Sequence, residues 1–337
     1  MPEGPSRKGR GQATRGPLIS FTILKLIGGF IYLLFGADLL VRGAVGLARR
    51  ANVPPIVVAL TIVALGTSLP ELVVSVQAVF TGYPGIVLGN VVGSNIANVL
   101  LVAGVSAIVF PLAYPGDSVR RDSAVMIGAS IFFILLSLKD ALSRPAGAAL
   151  FIGMVLVLIP TLRDVAQAHK DADGKPHPVF VLGLPSQRRF ISLFIILGII
   201  GLPLGADLVV EATVQIAMSL GVSEAVVGLS IIAFATSLPE LATTVVAAYR
   251  RQTEVALGTV IGSNVFNLLA IMGVSALASP RPIPVPASFP FLDLPVMLAA
   301  ALAISAFVWL RKPIGRKAGI AFSAAYIGYI AVLFALS

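Results

Sequence analysis

The chain has 337 residues, of which 57% are hydrophobic and 12% are charged. Soluble domains are about 45–50% apolar and about 25% charged, so this composition excludes a soluble enzyme and predicts a polytopic membrane protein. The absence of cysteine excludes disulfides, thiolate metal sites and a cysteine nucleophile. The net charge of +9 is distributed among loops between apolar runs, so we expect no nucleic-acid partner.

Ten apolar runs approach or exceed the ~20 residues that a membrane-spanning helix needs. In chain order they are residues 18–48, 55–80, 86–111, 122–139, 144–162, 190–219, 225–250, 254–279, 288–310 and 314–336. Residues 1–17 are rich in glycine, proline and basic residues, which predicts a disordered tail. Residues 163–189 form one sizeable polar loop, predicted to be cytoplasmic. The sequence therefore predicts two membrane units, 18–162 and 190–337, with five spans each.

Lysine and arginine are concentrated in the loops that follow the odd-numbered spans. The side of the membrane with more basic loops is normally cytoplasmic. We therefore expect both termini to be extracytoplasmic, although the basic tail argues against this orientation. The short central loop and bare termini favour a prokaryotic plasma membrane.

The sequence repeats itself at an offset of 169 residues. Residues 61–108 match residues 230–277 at 22 of 48 positions without a gap. GTSLPEL and GSNIAN in the first copy correspond to ATSLPEL and GSNVFN in the second. Because the copies are an odd number of spans apart, they should cross the membrane in opposite directions. Inverted repeats are typical of secondary transporters, whose binding site lies near mid-membrane between the repeats. Duplication kept for packing alone is less favoured, because the identities are concentrated on polar residues.

Two acidic residues, Glu71 and Glu240, occupy matching positions within apolar spans. An ionisable group there costs ~2.5–3.5 kcal/mol and usually serves a function. Matching hydroxyl and amide residues accompany them at helical spacing, and they are Thr67, Ser68, Thr236, Ser237, Ser94, Asn98, Ser263 and Asn267. All of these side chains offer hard oxygen donors.

Prolines and glycines add backbone features to the same segments. Pro70 and Pro239 should bend their helices and leave the carbonyl four residues earlier without a donor. Four glycines are compatible either with close helix approach or with ordinary packing: Gly89, Gly93, Gly258 and Gly262.

A site made of oxygen atoms favours hard cations. Ca²⁺ takes 6–8 oxygen ligands at ~2.3–2.6 Å, and Na⁺ can use the same donors, whereas Zn²⁺ sites usually recruit histidine or cysteine. Two carboxylates balance one Ca²⁺ or two Na⁺, so the ions should compete. Mutually exclusive occupancy combined with alternating access is antiport.

The paired motifs are similar to the two α-repeats of the sodium/calcium exchanger branch of the cation/Ca²⁺ antiporter superfamily, prokaryotic type. The resemblance covers essentially the whole chain after the tail. It implies an all-α polytopic membrane protein with ten transmembrane helices in two inverted-topology five-helix repeats, whose first and sixth helices slide across the core.

The resemblance also implies a set of ligands. Glu71 and Glu240 would be the central Ca²⁺ carboxylates. The eight hydroxyl and amide residues named above, with backbone carbonyls near Ala64 and Ala233, would complete the Ca²⁺ and Na⁺ sites. Some relatives have aspartate at the position of Asn267, so K⁺ co-transport is less expected here.

Four functions remain open at this stage. A Na⁺/Ca²⁺ antiporter is favoured, and an H⁺/Ca²⁺ exchanger is the main alternative, since a carboxylate between apolar walls can bind protons. A Ca²⁺ channel and an intramembrane hydrolase are less favoured. We expect transported ions and a lipid bilayer as partners, no cofactor and no obligate protein partner. Asp38 and Asp207 also match between the repeats, and either hydrogen bonding or a place near the ion path would suit them.

Overall fold

The computed structural model describes residues 15–51, 53, 55–80, 84–113, 116–170, 185, 187–219, 234, 236–287 and 289–336. The first half contains α1 (Arg15–Ala51), α2 (Pro55–Val58), α3 (Ala64–Thr67), α4 (Leu69–Phe80), α5 (Pro84–Ala97), α6 (Gly104–Val109), α7 (Asp117–Ser137), β1 (Ala141–Leu142) and α8 (Arg144–Lys170). The second half contains α9 (Arg188–Ser219), α10 (Leu238–Tyr249), α11 (Thr253–Phe266), α12 (Met272–Ala278), β2 (Ile283–Pro284), α13 (Asp293–Trp309) and α14 (Arg316–Leu336). Short π-helical turns join α2 to α3 (Ala59–Val63), α5 to α6 (Asn98–Ala103) and α11 to α12 (Asn267–Ile271).

Four helical segments in the described part of the chain are long and apolar enough to cross a membrane: Phe21–Ala51, Ile86–Val109, Arg188–Ala212 and Thr253–Ala278. A fifth results if the bent pair Ala59–Thr67 and Leu69–Phe80 is counted as one span. Helices α7, α8, α13 and α14 coincide with four further predicted spans, and α10 with the second half of another. The chain is therefore a mostly helical membrane protein.

Several helix boundaries differ from the predicted spans. Helix α1 begins at Arg15, inside the predicted tail, and α8 continues to Lys170, beyond the predicted end at residue 162. The prediction counted apolar residues, whereas backbone hydrogen bonding continues through polar residues of good helix propensity, as in the segment 163–170.

Burial separates central helices from peripheral ones. In the most apolar window of Thr253–Ala278, 94% of the residues are buried, and in that of Ile86–Val109, 78%. The corresponding share in α1 and in α9 is 33%. Large apolar side chains such as Phe21, Ile31 and Phe35 are exposed on α1. Segments 86–109 and 253–278 thus form the core, and α1 and α9 present an apolar outer face suited to lipid.

Helices α1 and α9 run antiparallel and pack closely along much of their length. A Cβ atom added to Gly36 would lie 3.2 Å from the backbone of Gly201, and one added to Gly205 would lie 2.7 Å from the backbone nitrogen of Leu33. Small residues allow helix backbones in membranes to approach this closely. The two helices therefore form a tightly fitted pair at the edge of the core.

Two short backbone pairings bring distant loops together. Strand β1 pairs antiparallel with β2, which joins the loops after the fourth and eighth predicted spans. An isolated bridge between Leu112 and Ile314 joins the loops after the third and ninth. Both pairings agree with the predicted grouping of loops on the two sides of the membrane.

Candidate cation-binding site

The helix that contains the first repeated motif is broken at Ser68. Ser68 has φ −86° and ψ 7°, between α3 and α4, and the two segments meet at 50°. Ser237 adopts nearly the same conformation, with φ −87° and ψ 0°, immediately before α10. Pro70 and Pro239 follow as the second residues of α4 and α10, where the lack of an N–H costs little. The predicted bend at Pro70 is confirmed, and most of the segment preceding Ser237 lies outside the described residues.

Both glutamates lie in the first turn of a helix. Glu71 lies in α4 and Glu240 in α10. Each is 1% exposed, and the two carboxyl groups are close enough to interact electrostatically. The partial positive charge at a helix N-terminus stabilises a carboxylate, but a buried carboxylate also needs bound partners. The structure therefore brings the two predicted acidic residues, one from each repeat, into one buried region.

Two serines surround the carboxylate of Glu240. The hydroxyl of Ser68 donates to Oε1 of Glu240 at 2.9 Å, and Ser263 Oγ lies 3.5 Å from the same oxygen. The two serine hydroxyls are 3.2 Å apart. Since Ser68 belongs to the first repeat and Ser263 to the second, the cluster joins the repeats through polar atoms.

Most of the other predicted ligands end in buried polar atoms without hydrogen-bond partners among the described residues. These atoms are both carboxylate oxygens of Glu71, Oε2 of Glu240, the hydroxyls of Ser94 and Ser237, Oδ1 of Asn98, and Oδ1 and Nδ2 of Asn267. An unsatisfied buried polar group costs about 1–3 kcal/mol, so a cluster of them requires an explanation. All but one of these atoms are oxygens, the donors that Ca²⁺ and Na⁺ use.

The described residues contain no group of three or more histidine, cysteine, aspartate or glutamate side chains placed to hold a metal ion. The cluster instead combines two carboxylates with neutral hydroxyl and amide oxygens. This donor set fits a hard cation that is released again.

The two predicted threonines hydrogen-bond to neighbouring groups. Thr67 Oγ1 donates to the carbonyl of Ala64 at 3.3 Å, which also accepts from the backbone N–H of Ser68 at 3.0 Å. Thr236 Oγ1 donates to Oδ1 of Asn90 at 3.2 Å. A hydroxyl that donates keeps its lone pairs as acceptors, so both threonines stay compatible with cation binding. Ala233 lies outside the described residues.

Asn90 is a buried polar residue that sequence reasoning missed. Besides accepting from Thr236, it donates to Ser75 Oγ at 3.0 Å and to the carbonyl of Glu71 at 3.3 Å. It therefore connects both glutamate-bearing segments. Its matching position in the second repeat is Thr259, so the repeat gave no signal for an amide here.

Asn264 was also missed, although it belongs to the repeated GSN motif. It is buried, and its Oδ1 accepts from Nδ2 of Asn98 at 3.1 Å. Asn98 and Asn267 each begin a π-helical turn. Such turns are often found at functional sites, and here they start at matching residues of the two repeats.

The glycine predictions are confirmed in part. A Cβ atom at Gly262 would lie 2.9 Å from that of Ala64, so this glycine does allow helices to approach at the site. Gly89 and Gly93 have nothing within 4 Å of an added Cβ, so the alternative of close helix approach does not apply to them.

Asp38 belongs to an ion-pair network. It pairs with Arg42 at 2.8 Å, as its spacing on α1 indicates, and also with Arg250. Arg250 immediately follows α10, so the network joins α1 to the core. The matching Asp207 is exposed, which shows that the two aspartates are not equivalent.

Comparison with known proteins places this geometry in a family. A family model described as sodium/calcium exchanger protein matches residues 21–161 and 190–335. The chain is 35% identical to a putative antiporter, CaxA, of Alkalimonas amylolytica, across 93% of this chain and 98% of the relative. It is 31% identical to the sodium/calcium exchanger MaX1 of Methanosarcina acetivorans, across 94% and 99%.

A solved structure agrees with the sequence comparison. The sodium–calcium exchanger NCX_Mj, soaked with zero Na⁺ and Ca²⁺, has a TM-score of 0.79 and 32% sequence identity, with 94% of this chain and 99% of that chain covered. The shared fold and the near full-length matches agree with the paired motifs around Glu71 and Glu240. This chain is a member of the sodium/calcium exchanger family of ion transporters.

Proposed function

We propose that this protein is a secondary antiporter that exchanges Ca²⁺ for Na⁺. The observation that carries the proposal is the buried oxygen cluster at the meeting of the two repeats. Glu71 and Glu240 lie together there, and half of the hydroxyl and amide oxygens proposed as ligands have no hydrogen-bond partner among the described residues. A cation bound among them would satisfy these atoms and offset the repulsion between the carboxylates.

The proposed ligands are those predicted from the motifs. Glu71 and Glu240 would bind Ca²⁺ directly and, when ionised, would balance its charge. The neutral oxygens of the cluster, with the carbonyls of Ala64 and Ala233, would complete the 6–8 ligands that Ca²⁺ takes and would bind Na⁺ when Ca²⁺ is absent.

We place this site near mid-membrane, between two inverted repeats of five helices. The sequence repeat supports this arrangement, as do the two loop pairings, which group loops as ten crossings require. By the same count the termini are extracytoplasmic, and the basic loops face the cytoplasm of a prokaryotic cell.

Transport requires that the site open to one side at a time. The fitted pair α1 and α9 is suited to this movement, because its outer face is exposed and apolar while Gly66 of α3 lies close to Ile199 of α9. Sliding of this pair along the core would change which side of the cluster is covered. Competition between Ca²⁺ and Na⁺ for the same oxygens then couples their movements.

Sodium coupling is favoured over proton coupling by the neutral oxygens. A proton needs one acceptor, whereas Na⁺ needs several oxygen ligands, and the hydroxyls of Ser94 and Ser237 are both buried and available. Two of the relatives, MaX1 and NCX_Mj, are named sodium/calcium exchangers.

Radioactive Ca²⁺ uptake into proteoliposomes tests the proposal. We expect uptake into vesicles preloaded with Na⁺ and none into vesicles preloaded with K⁺. Uptake driven by an imposed pH gradient alone would replace Na⁺ with H⁺ as the coupled ion. Uptake that needs neither gradient would indicate a channel and contradict antiport.

A further inference from the structure

We infer that Asn264 is a positioning residue that turns the amide oxygen of Asn98 toward the cation. The inference rests on the proposed function, because it treats Asn98 as a ligand. Asn264 is 2% exposed and Asn98 is fully buried, so neither amide can rely on bulk water to satisfy it. Contacts with the surrounding protein must therefore determine the orientation of both amides.

The orientation of Asn264 is set by two atoms that can accept but not donate. Its Nδ2 lies 3.4 Å from the backbone carbonyl of Asn95 and 3.6 Å from the sulfur of Met126. A carbonyl oxygen and a thioether have no proton to give, so the amino group of Asn264 must face them. Its Oδ1 consequently faces Asn98.

That orientation determines the orientation of the next amide. The Oδ1 of Asn264 can only accept a hydrogen bond, so Asn98 must present its Nδ2. These two atoms are 3.1 Å apart. The Oδ1 of Asn98 is then left buried without a partner among the described residues. A backbone carbonyl thus determines, through two amides, that an oxygen points into the cluster.

The orientation matters because the two ends of an amide have opposite effects on a cation. The oxygen binds Ca²⁺ or Na⁺, whereas the amino group carries two donor protons and repels them. Residues that orient a ligand in this way typically contribute about 10–100-fold to metal affinity.

The second repeat lacks an equivalent arrangement. Asn95, at the position that matches Asn264, donates to the carbonyl of Val91 in its own helix at 2.7 Å. Both amide atoms of Asn267, which matches Asn98, have no partner within the described part of the chain. The amide of Asn98 is therefore oriented by a hydrogen bond to Asn264, whereas that of Asn267 has no such bond among the described residues.

Calorimetric titration of the purified, detergent-solubilised protein with Ca²⁺ tests the inference, alongside Na⁺-dependent Ca²⁺ uptake. We expect Asn264→Ala to weaken Ca²⁺ binding by about 10–100-fold. Asn264→Leu, which fills more of the space, should weaken it similarly if the alanine variant does not fold. Asn95→Ala is the matched control, since it truncates an equally buried asparagine at the equivalent position, and it should bind Ca²⁺ as the wild type does.

A double-mutant cycle separates positioning from a general structural effect. In an Asn98→Asp background both terminal atoms are oxygens, so orientation no longer matters and Asn264→Ala should cause no further loss of affinity. An equal loss in both backgrounds, or wild-type affinity of the folded single variants, would overturn the inference. If Asn98→Ala itself leaves Ca²⁺ affinity unchanged, the failure lies in the proposed ligand set instead.

Discussion

The two halves of the candidate site contain the same residue types, but the hydrogen bonds of these residues differ. Glu240 accepts a hydrogen bond from Ser68 and lies beside Ser263, whereas both carboxylate oxygens of Glu71 have no partner among the described residues. Both glutamates follow a serine with nearly the same backbone conformation. The difference therefore arises from neighbouring side chains and not from the backbone.

Neutral residues also differ between the two halves. Asn90 links the Glu71 segment to Thr236, while the matching Thr259 bonds the carbonyl of Val255 in its own helix. A duplicated sequence can thus keep a symmetric set of charges and still provide two unequal half-sites.

The largest effects should come from removing either carboxylate. Glu71→Gln and Glu240→Gln should each abolish Na⁺-dependent Ca²⁺ uptake, a loss greater than the about 10–100-fold typical of residues that only support a ligand. The two variants should also differ in thermal stability when Na⁺ and Ca²⁺ are both removed. Glu71→Gln then replaces a buried carboxyl group that has no hydrogen-bond donor among the described residues, whereas Glu240→Gln disturbs the bond from Ser68, so Glu71→Gln should give the higher thermal unfolding temperature.

Uptake assays and thermal unfolding in ion-free detergent measure both expectations. Wild-type uptake by either variant would remove that glutamate from the site. Equal stabilisation by the two variants would show that the unequal hydrogen bonding has no energetic consequence.

The next largest difference should separate Asn267 from Asn98. Asn267→Asp adds a carboxylate at a side chain that has no hydrogen-bond partner among the described residues. Ca²⁺ transport should therefore become more dependent on pH, while folding is retained. Asn98→Asp places a carboxylate against Oδ1 of Asn264 and should reduce stability by about 1–3 kcal/mol, the cost of an unsatisfied buried group.

Transport over a range of pH, together with the unfolding temperature, distinguishes these variants. If Asn267→Asp transports Ca²⁺ with the pH dependence of the wild type, Asn267 has no place in the site.

The sequence was sufficient to predict the features that depend on local chemistry. Pro70 predicts the break near Ser68, and repetition identifies both glutamates. Each of these follows from one helix or from the comparison of two segments.

Features that depend on contacts between helices were not predictable in the same way. Nothing in the spacing of Asn98 or Asn267 indicates a π-helical turn, since the apolar pattern continues through it. The residue that matches Asn90 in the other repeat is a threonine and not an amide. The contact of Arg250 with Asp38 joins residues far apart in the chain. Such contacts become visible once the helices are packed.

A matched pair of serines provides a smaller test of the asymmetry. Ser68→Ala removes a hydrogen bond to a carboxylate, and bonds to charged groups contribute about 1.5–3 kcal/mol. Ser237, at the matching position, has no hydrogen-bond partner in the described structure, so Ser237→Ala should change cation-free stability less. Chemical unfolding without Na⁺ and Ca²⁺ measures the difference, and an equal loss would contradict the role assigned to the Ser68–Glu240 bond.

The smallest effect is expected for the aspartates of the two outer helices. Asp38 pairs with Arg42 and Arg250 but is 20% exposed, and partly exposed ion pairs contribute about 0–1 kcal/mol. Asp38→Asn should therefore hardly change stability, yet it weakens a connection between α1 and the core. If α1 moves during transport, this variant should change the rate of exchange more than the affinity for Ca²⁺.

Asp207→Asn is the matched control, because Asp207 occupies the equivalent position and is exposed. It should leave both rate and affinity as in the wild type. Changed rates in Asp38→Asn alone would support movement of α1 relative to α10. Changed Ca²⁺ affinity without a changed rate would instead place Asp38 on the ion path, and equal effects in both variants would indicate that the aspartates act through their charge and not through the contact with Arg250.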